Sequence, residues 1–227
     1  MKKFWMTQSL LSSWMYFLTA EEEYAEAAYD SFLKTLRREK TEPSQAMLDG
    51  IAFEDMVNAI VAGREPSLPT HRRILPATQE KWIAAANAVA NICKGGQSQT
   101  ELTGEVRIGG VEFVLYGLAD YVKAGTIFDI KKVTRYEYGK YQNSPQHPMY
   151  LHLLSPASRF QYLIFDGDRL HKETYRREDS ADIETTIRRF LYSLDDLDLL
   201  GDYEKHWEMN EDREAKTCGA YKEETIC

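Results

Sequence analysis

Asp120, Asp129 and Lys131 are charged residues set inside Gly117–Val133, GLADYVKAGTIFDIKKV, a stretch that otherwise reads as core strand. Leu118, Val122, Ile127, Phe128, Ile130 and Val133 are apolar or β-branched, and Lys123-Ala124-Gly125-Thr126 has turn composition, so the stretch predicts a β-hairpin. A two-residue loop at Ala124-Gly125 would pair Val122 with Ile127 and set Asp120 opposite Asp129. Like charges facing across a ladder repel, so the pair must splay or be held by a cation. Side chains alternate along a strand, so Asp129 and Lys131 share one face and Phe128 and Ile130 the other. Hard oxygen ligands of this kind suit Mg²⁺ or Mn²⁺, which lower the pKa of bound water and neutralise phosphoryl charge. An ammonium beside them can stabilise an anionic transition state. Taken alone, the same pattern also describes a solvated hairpin face whose lysine offsets two acids.

The elements around the hairpin must position these groups. Helical spacing over residues 8–39, with Leu11, Trp14, Met15 and Leu18 on one stripe and Tyr24, Ala28, Phe32 and Leu36 on another, predicts two helices or one bent one. The lysines and apolar residues of MKKFWMTQSLLSSWMYFLTA imitate a secretion signal, but Thr7, Gln8, Ser9, Ser12 and Ser13 interrupt the apolar run, so a folded helix is expected. A second helix follows Ser44, with Leu48, Ile51, Met56, Val57, Ile60 and Val61 on its apolar face and Glu54 within it. A proline-rich connection carries Arg72 and Arg73, which could meet phosphates, and Pro76 opens a helix ended by Gly95-Gly96.

From Glu101 the period becomes that of strands: Thr103–Ile108, Val111–Tyr116 and the hairpin form an antiparallel meander. Tyr136–Asn143 reads as a loop over the site. Ser144 and Pro145 then start a helix that holds Gln146 and Tyr150 on one face and offers its N-terminus as a phosphate cradle. Strands at Phe160–Phe165 and Arg169–Arg176 and a helix over 179–200, stopped at Gly201, complete the set. The expected domain spans 1–201, with a helical part (1–96), a sheet (101–177) and the last helix (179–200). Residues 202–227 read as an acidic tail outside it.

Composition bounds the rest. A chain of 227 residues with 43% hydrophobic content can bury one full core. No 18-residue apolar run exists, so no membrane partner is expected. Cys93, Cys218 and Cys227 are scattered, without a C-x-x-C, which argues against a zinc knuckle or disulfide framework and fits a reducing, intracellular (cytoplasmic) compartment. The net charge of −8 looks wrong for a nucleic-acid enzyme until it is located. Residues 178–227 hold 15 acidic and 6 basic residues, a balance of −9, leaving +1 for residues 1–177. Around the hairpin, residues 102–177 hold 11 basic against 8 acidic, which permits a phosphate partner.

The order helix, three-strand meander, helix, strand, with acids on the second and third strands and a lysine two after the second acid, resembles the PD-(D/E)XK nuclease superfamily. It is similar in particular to the RecB-like and phage lambda-type exonuclease branches. Four pieces carry the resemblance: GIAFED for the first-helix motif, GLADYV for the second-strand motif, FDIKK for D-x-K, and QHPMY for Q-x-x-x-Y. Coverage runs from about Asp49 to Phe165, and Ala119 stands where the eponymous proline would be.

The resemblance implies an α/β (α+β) fold with a restriction-endonuclease-like core: a central mixed β-sheet with an antiparallel meander, flanked by helices. It implies Asp120 and Asp129 as metal ligands, Lys131 as the catalytic lysine and the Ile130 carbonyl as a further ligand. Glu54 stands where RecB-like members usually have His and phage-type exonucleases have Glu, which makes it a metal ligand or an acid for a second metal. Gln146 and Tyr150 would position the lysine and touch the DNA backbone. The implied cofactor is Mg²⁺ or Mn²⁺. The iron–sulfur subgroup uses four cysteines and this chain has three, so no cluster is expected. The implied activity is a metal-dependent DNA exonuclease of recombination, repair or phage DNA processing, with DNA, a single-strand annealing protein or helicase, and further copies of the chain as partners. An endonuclease on the same core, and a non-catalytic nucleic-acid-binding or assembly subunit, are the alternatives.

Overall fold

The computed structural model describes residues 2–209; Cys218, Tyr221 and Cys227 lie outside the described residues. Among those described, a six-stranded mixed sheet is flanked by seven helices. The helices are α1 (Gln8–Thr19), α2 (Ala25–Leu36), α3 (Gln45–Val61), α4 (Pro76–Cys93), α5 (Gln146–Leu153), α6 (Ile183–Asp196) and α7 (Leu200–Trp207). The strands are β1 (Lys3–Thr7), β2 (Gln97–Ile108), β3 (Val111–Lys123), β4 (Thr126–Lys132), β5 (Arg159–Phe165) and β6 (Leu170–Arg176). This is the expected class, a mixed sheet with an antiparallel meander between helical layers.

Strand alternation sorts the core into two faces. Ile127 on β4 and Phe160, Tyr162 and Ile164 on β5 pack with Leu10 and Trp14 of α1, Phe32 of α2, Tyr150 of α5, Phe190 of α6 and Tyr203 and Trp207 of α7. Phe128, Ile130, Leu163 and Phe165 pack the opposite way, onto Phe53, Met56 and Val57 of α3 and Trp82, Ala86 and Val89 of α4. Among the described residues no helix is long and apolar enough to cross a membrane.

β3 is the organising strand. β2 runs antiparallel along its whole length, from Ile108↔Val111 to Gln97↔Val122. Its other edge is shared by two strands: β1, parallel over Glu112–Tyr116, and β4, antiparallel over Tyr121–Lys123. Between them, Gly117–Asp120 has no strand partner on that side, and the sheet forks there.

Several expectations shift. β1 lies in what read as the start of a helix; its five residues alternate Phe4 and Met6 inward, too short a run to stand out against the helical period that follows. Thr7 then caps α1 by accepting from the Leu10 N–H at 3.3 Å. β2 starts at Gln97, six residues before the expected Thr103, because its first residues are polar and solvent-facing. The acidic tail does not begin at 202. α6 ends at Asp196, Asp198 takes φ 57°, and α7 carries the chain back into the core through Gly201. Tyr203 donates to the Trp5 carbonyl at 2.8 Å and Trp207 Nε1 to the Leu36 carbonyl at 2.7 Å, while the Arg38 guanidinium covers the Trp207 ring at 4.0 Å. Two buried aromatics outweighed the local acidity of the segment.

Trp207 is 3% exposed. Trp207→Ala is expected to cost about 3–5 kcal/mol of folding stability, read as a lowered urea midpoint at unchanged slope. A midpoint equal to wild type would place α7 outside the cooperative core.

Candidate active site at the fork of the sheet

The hairpin forms at the expected register. Val122 pairs with Ile127 and Lys123 with Thr126. Ala124 (φ 47°) and Gly125 (φ 72°) make the two-residue loop, both left-handed as a type I′ turn requires. The ladder stops at Tyr121↔Phe128, so Asp120 and Asp129 do not face each other as a paired rung. Repulsion between two carboxylates is relieved by splaying. Asp120 Oδ2 instead accepts the Ile130 N–H at 2.6 Å, replacing the ladder bond that the divergence removes.

Tyr150 fills the rest of the fork. Its hydroxyl donates to the Leu118 carbonyl at 3.0 Å and accepts from the Leu118 N–H at 3.1 Å, which satisfies both backbone groups of an unpaired strand residue. The ring lies where Gly117 has no side chain: a Cβ on Gly117 would stand 2.1 Å from Tyr150 Cε1. Four residues before Tyr150 on α5, Gln146 donates from Nε2 to Asp129 Oδ1 at 2.5 Å. Asp129 Oδ2 is 2.9 Å from Lys131 Nζ, as the shared strand face requires.

Glu54 arrives from the opposite face, on α3, and meets the other acids through the opening. Gln99 donates to its Oε1 at 2.6 Å; that residue takes φ 49° and drops out of the β2–β3 ladder across from Asp120. Burial, then the charge of Asp129, raises the Glu54 carboxyl above its ordinary range. Burial, then Glu54 and Asp129, raises Asp120 well above its own. Burial opposes the Lys131 ammonium, but Asp129 and Asp120 more than offset it, so the lysine stays charged through the neutral range. Three acids against one lysine is an arrangement short of positive charge.

Asp120, Asp129, Lys131, Gln146 and Tyr150 thus gather at the fork, Glu54 is near enough to act on Asp120 by its charge, and Ile130, expected to offer its carbonyl, donates its N–H to Asp120. Among the described residues no three His, Cys, Asp or Glu form a ready-made metal cage, and each of the three acids accepts a hydrogen bond from a neighbour. The donor chemistry fits a hard divalent cation all the same: Glu54 and Asp120 carboxyls raised by burial and neighbouring charge, beside an Asp129 oxygen already paired with a cation. Two of the groups expected to meet phosphate are engaged within the protein. Arg72 spends its fork on Asp49, at 2.8 and 2.7 Å, and the first turn of α5 is buried rather than open to an anion. The helix also begins one residue late, with Pro145 as its cap residue and Ser144 Oγ accepting the Gln146 N–H.

Sequence reasoning missed the supporting residues. Asn58 accepts from the Tyr121 hydroxyl at 2.5 Å and hydrogen-bonds Glu54, four residues before it on the same helix face. That spacing was a usable signal; the role of Gln99 had none. Tyr141 stacks on Tyr162 at 4.4 Å beside Lys131 and Asp129, and burial pushes its hydroxyl up to about 12.

No family model matches the chain, and no curated protein matches it. Among solved structures it is similar to that of SSO0001, at 17% identity and a TM-score of 0.39, over 70% of this chain and 82% of that one. A likeness so distant carries no argument about activity.

Two substitutions test this geometry. The fold holds the Asp120 carboxyl above its ordinary range, so its ionised form is destabilising and becomes more so as pH rises through the folded value. Asp120→Asn keeps an acceptor for Ile130 and is expected to melt higher than wild type in EDTA at about pH 8, the gap closing toward about pH 4. No gap at the higher pH would mean that the acids do not burden one another. Gly117→Ala is expected to cost about 1–3 kcal/mol by pushing Tyr150 off Leu118; wild-type stability would mean that the ring yields freely.

Proposed function

We propose that this chain is a metal-dependent deoxyribonuclease, an exonuclease that hydrolyses phosphodiester bonds in DNA recombination, repair or phage DNA processing. The observation that carries the reading is the convergence of Asp120, Asp129 and Glu54 with Lys131 in the fork of the sheet. Acids brought near one another from both faces of a sheet are costly unless a cation or a reaction calls for them. The four motif matches described above support the same reading.

Asp120, Asp129 and Glu54 would hold Mg²⁺ or Mn²⁺. When bound, the ion would supply neutralisation of phosphoryl charge and a water of lowered pKa. Gln146 fixes Asp129 through one oxygen and leaves the other for the cation and Lys131. Lys131, kept protonated by its acids, donates to the oxygen on which negative charge develops. Tyr150 secures Leu118 and hence the direction of Asp120, two residues on. The proposed partner is DNA, within a system that includes an annealing protein or a helicase.

Linear, nicked and covalently closed circular duplex incubated with Mg²⁺ or Mn²⁺ test the activity. Linear DNA is expected to be degraded progressively while closed circles survive; efficient cutting of closed circles would replace exonuclease by endonuclease. Asp129→Ala is expected to lose both turnover and the rise in melting temperature on adding Mn²⁺. Lys131→Ala is expected to keep that rise and lose on the order of 10²-fold or more in turnover. Full activity in both variants would end the assignment. Glu54→Ala is expected to weaken the Mn²⁺ response, and an unchanged response would leave Glu54 a plain helix acid.

A further inference from the structure

The segment joining β4 to α5 begins Val133-Thr134-Arg135-Tyr136-Glu137-Tyr138-Gly139-Lys140-Tyr141, with three tyrosines interleaved among two basic residues and one acid. Two of those rings have tasks inside the protein. Tyr136 packs on His171 at 4.4 Å, and Tyr141 stacks on Tyr162. Tyr138, between them, stands 91% exposed.

The loop is fastened on both sides of that ring. Glu173 of β6 is 3% exposed, and a carboxylate so buried is expensive unless its oxygens are satisfied. Oε1 accepts from the Tyr136 hydroxyl at 2.6 Å and from the Gly139 N–H at 2.9 Å, and Oε2 accepts from the Tyr175 hydroxyl at 2.7 Å. Gly139 reaches its donating position at φ 82°, a conformation glycine adopts freely. The anchors lie two residues before Tyr138 and one after it. Much of the ordering cost of presenting the ring is therefore already met by folding, which is the property of a binding group rather than of an idle surface tyrosine.

Position and charge narrow the occupant. Tyr138 follows Lys131 by seven residues, which span at most about 25 Å. At about 3.4 Å per nucleotide along a stacked strand, Tyr138 falls within about seven nucleotides of the acid–lysine site. Exposed Arg135 and Lys140 flank it; the surface pair of Arg135 with Glu137 at 2.6 Å is too solvated to withhold that guanidinium from a phosphate. Bases in a duplex are covered on both faces by their neighbours, so a protein ring can lie flat on one only where the strand is unpaired.

We infer that Tyr138 is a stacking platform for an unpaired nucleobase, with Arg135 and Lys140 holding the adjoining backbone, so that the strand entering the fork is single-stranded. The distance to the scissile bond rests on the nuclease reading above; stacking itself does not. The full chain in EDTA, titrated into a short single-stranded oligonucleotide carrying 2-aminopurine, tests it. Wild type and Tyr138→Phe are expected to quench the fluorophore. Tyr138→Ala is expected to lose the quench and bind roughly 5- to 150-fold more weakly, the loss of one stacked base, with an unchanged melting temperature. Wild-type affinity and quenching in Tyr138→Ala would overturn the inference, as would failure of wild type to bind the oligonucleotide. So would a Tyr138→Ala protein whose only change is a smaller sedimenting mass, since the ring would then be a contact between protein chains. Tyr138-dependent quenching without cleavage in Mg²⁺ or Mn²⁺ would uphold the platform and remove the nuclease, whereas cleavage and binding indifferent to Tyr138 would do the reverse.

Discussion

Everything near the candidate site follows from one gap in hydrogen bonding. β3 is longer than the two strands that share its outer edge, and a buried strand cannot leave its N–H and C=O groups bare. Tyr150 answers for Leu118 with a single hydroxyl used as donor and acceptor, and Asp120 answers for Ile130. The fold is completed at this point by side chains instead of backbone. The same opening admits Glu54 from the far layer, which an unbroken sheet would keep apart from Asp129. Structure and chemistry here draw on the same few atoms.

That sharing explains the electrostatics. Folding drives Glu54, Asp120 and Asp129 together against their mutual repulsion, and the packing of α3 and α5 on opposite faces of the sheet holds them there. Lys131 relieves part of the repulsion; Gln146 and Gln99 orient the acids without neutralising them. A site kept short of positive charge by a rigid frame carries that repulsion at some expense in stability.

How much of this could be read from the sequence varies with the range of the forces involved. The hairpin was legible because its determinants are local: turn residues with left-handed backbone, a period of two, and the face shared by Asp129 and Lys131. That Gln146 and Tyr150 share one face was legible through helical spacing; that this face meets the site came by resemblance. Glu54 came by resemblance, and nothing in its own neighbourhood marks it. β1 was hidden because five residues ahead of a strong helical pattern carry too little period, and it exists only because β3 offers an edge. The chain beyond 201 was misread because its charge is local and its burial is not: the partners of Tyr203 and Trp207 are Trp5 and Leu36. Glu173 gave no signal at all, since a lone glutamate in a polar strand looks like any solvated acid.

The end of the described chain returns to its beginning. Glu208 bridges Phe4, the Met209 N–H bonds the Lys3 carbonyl at 2.8 Å, and Tyr203 reaches Trp5 across 198 positions. Synthesis at roughly 5–20 residues per second puts on the order of ten to forty seconds between the appearance of these two halves of one contact. During that interval α1 and β1 exist without the aromatic residues that later cover them. Until α7 emerges, that apolar flank stays open to water, which makes α7 the element that closes it and keeps the nascent protein from its neighbours.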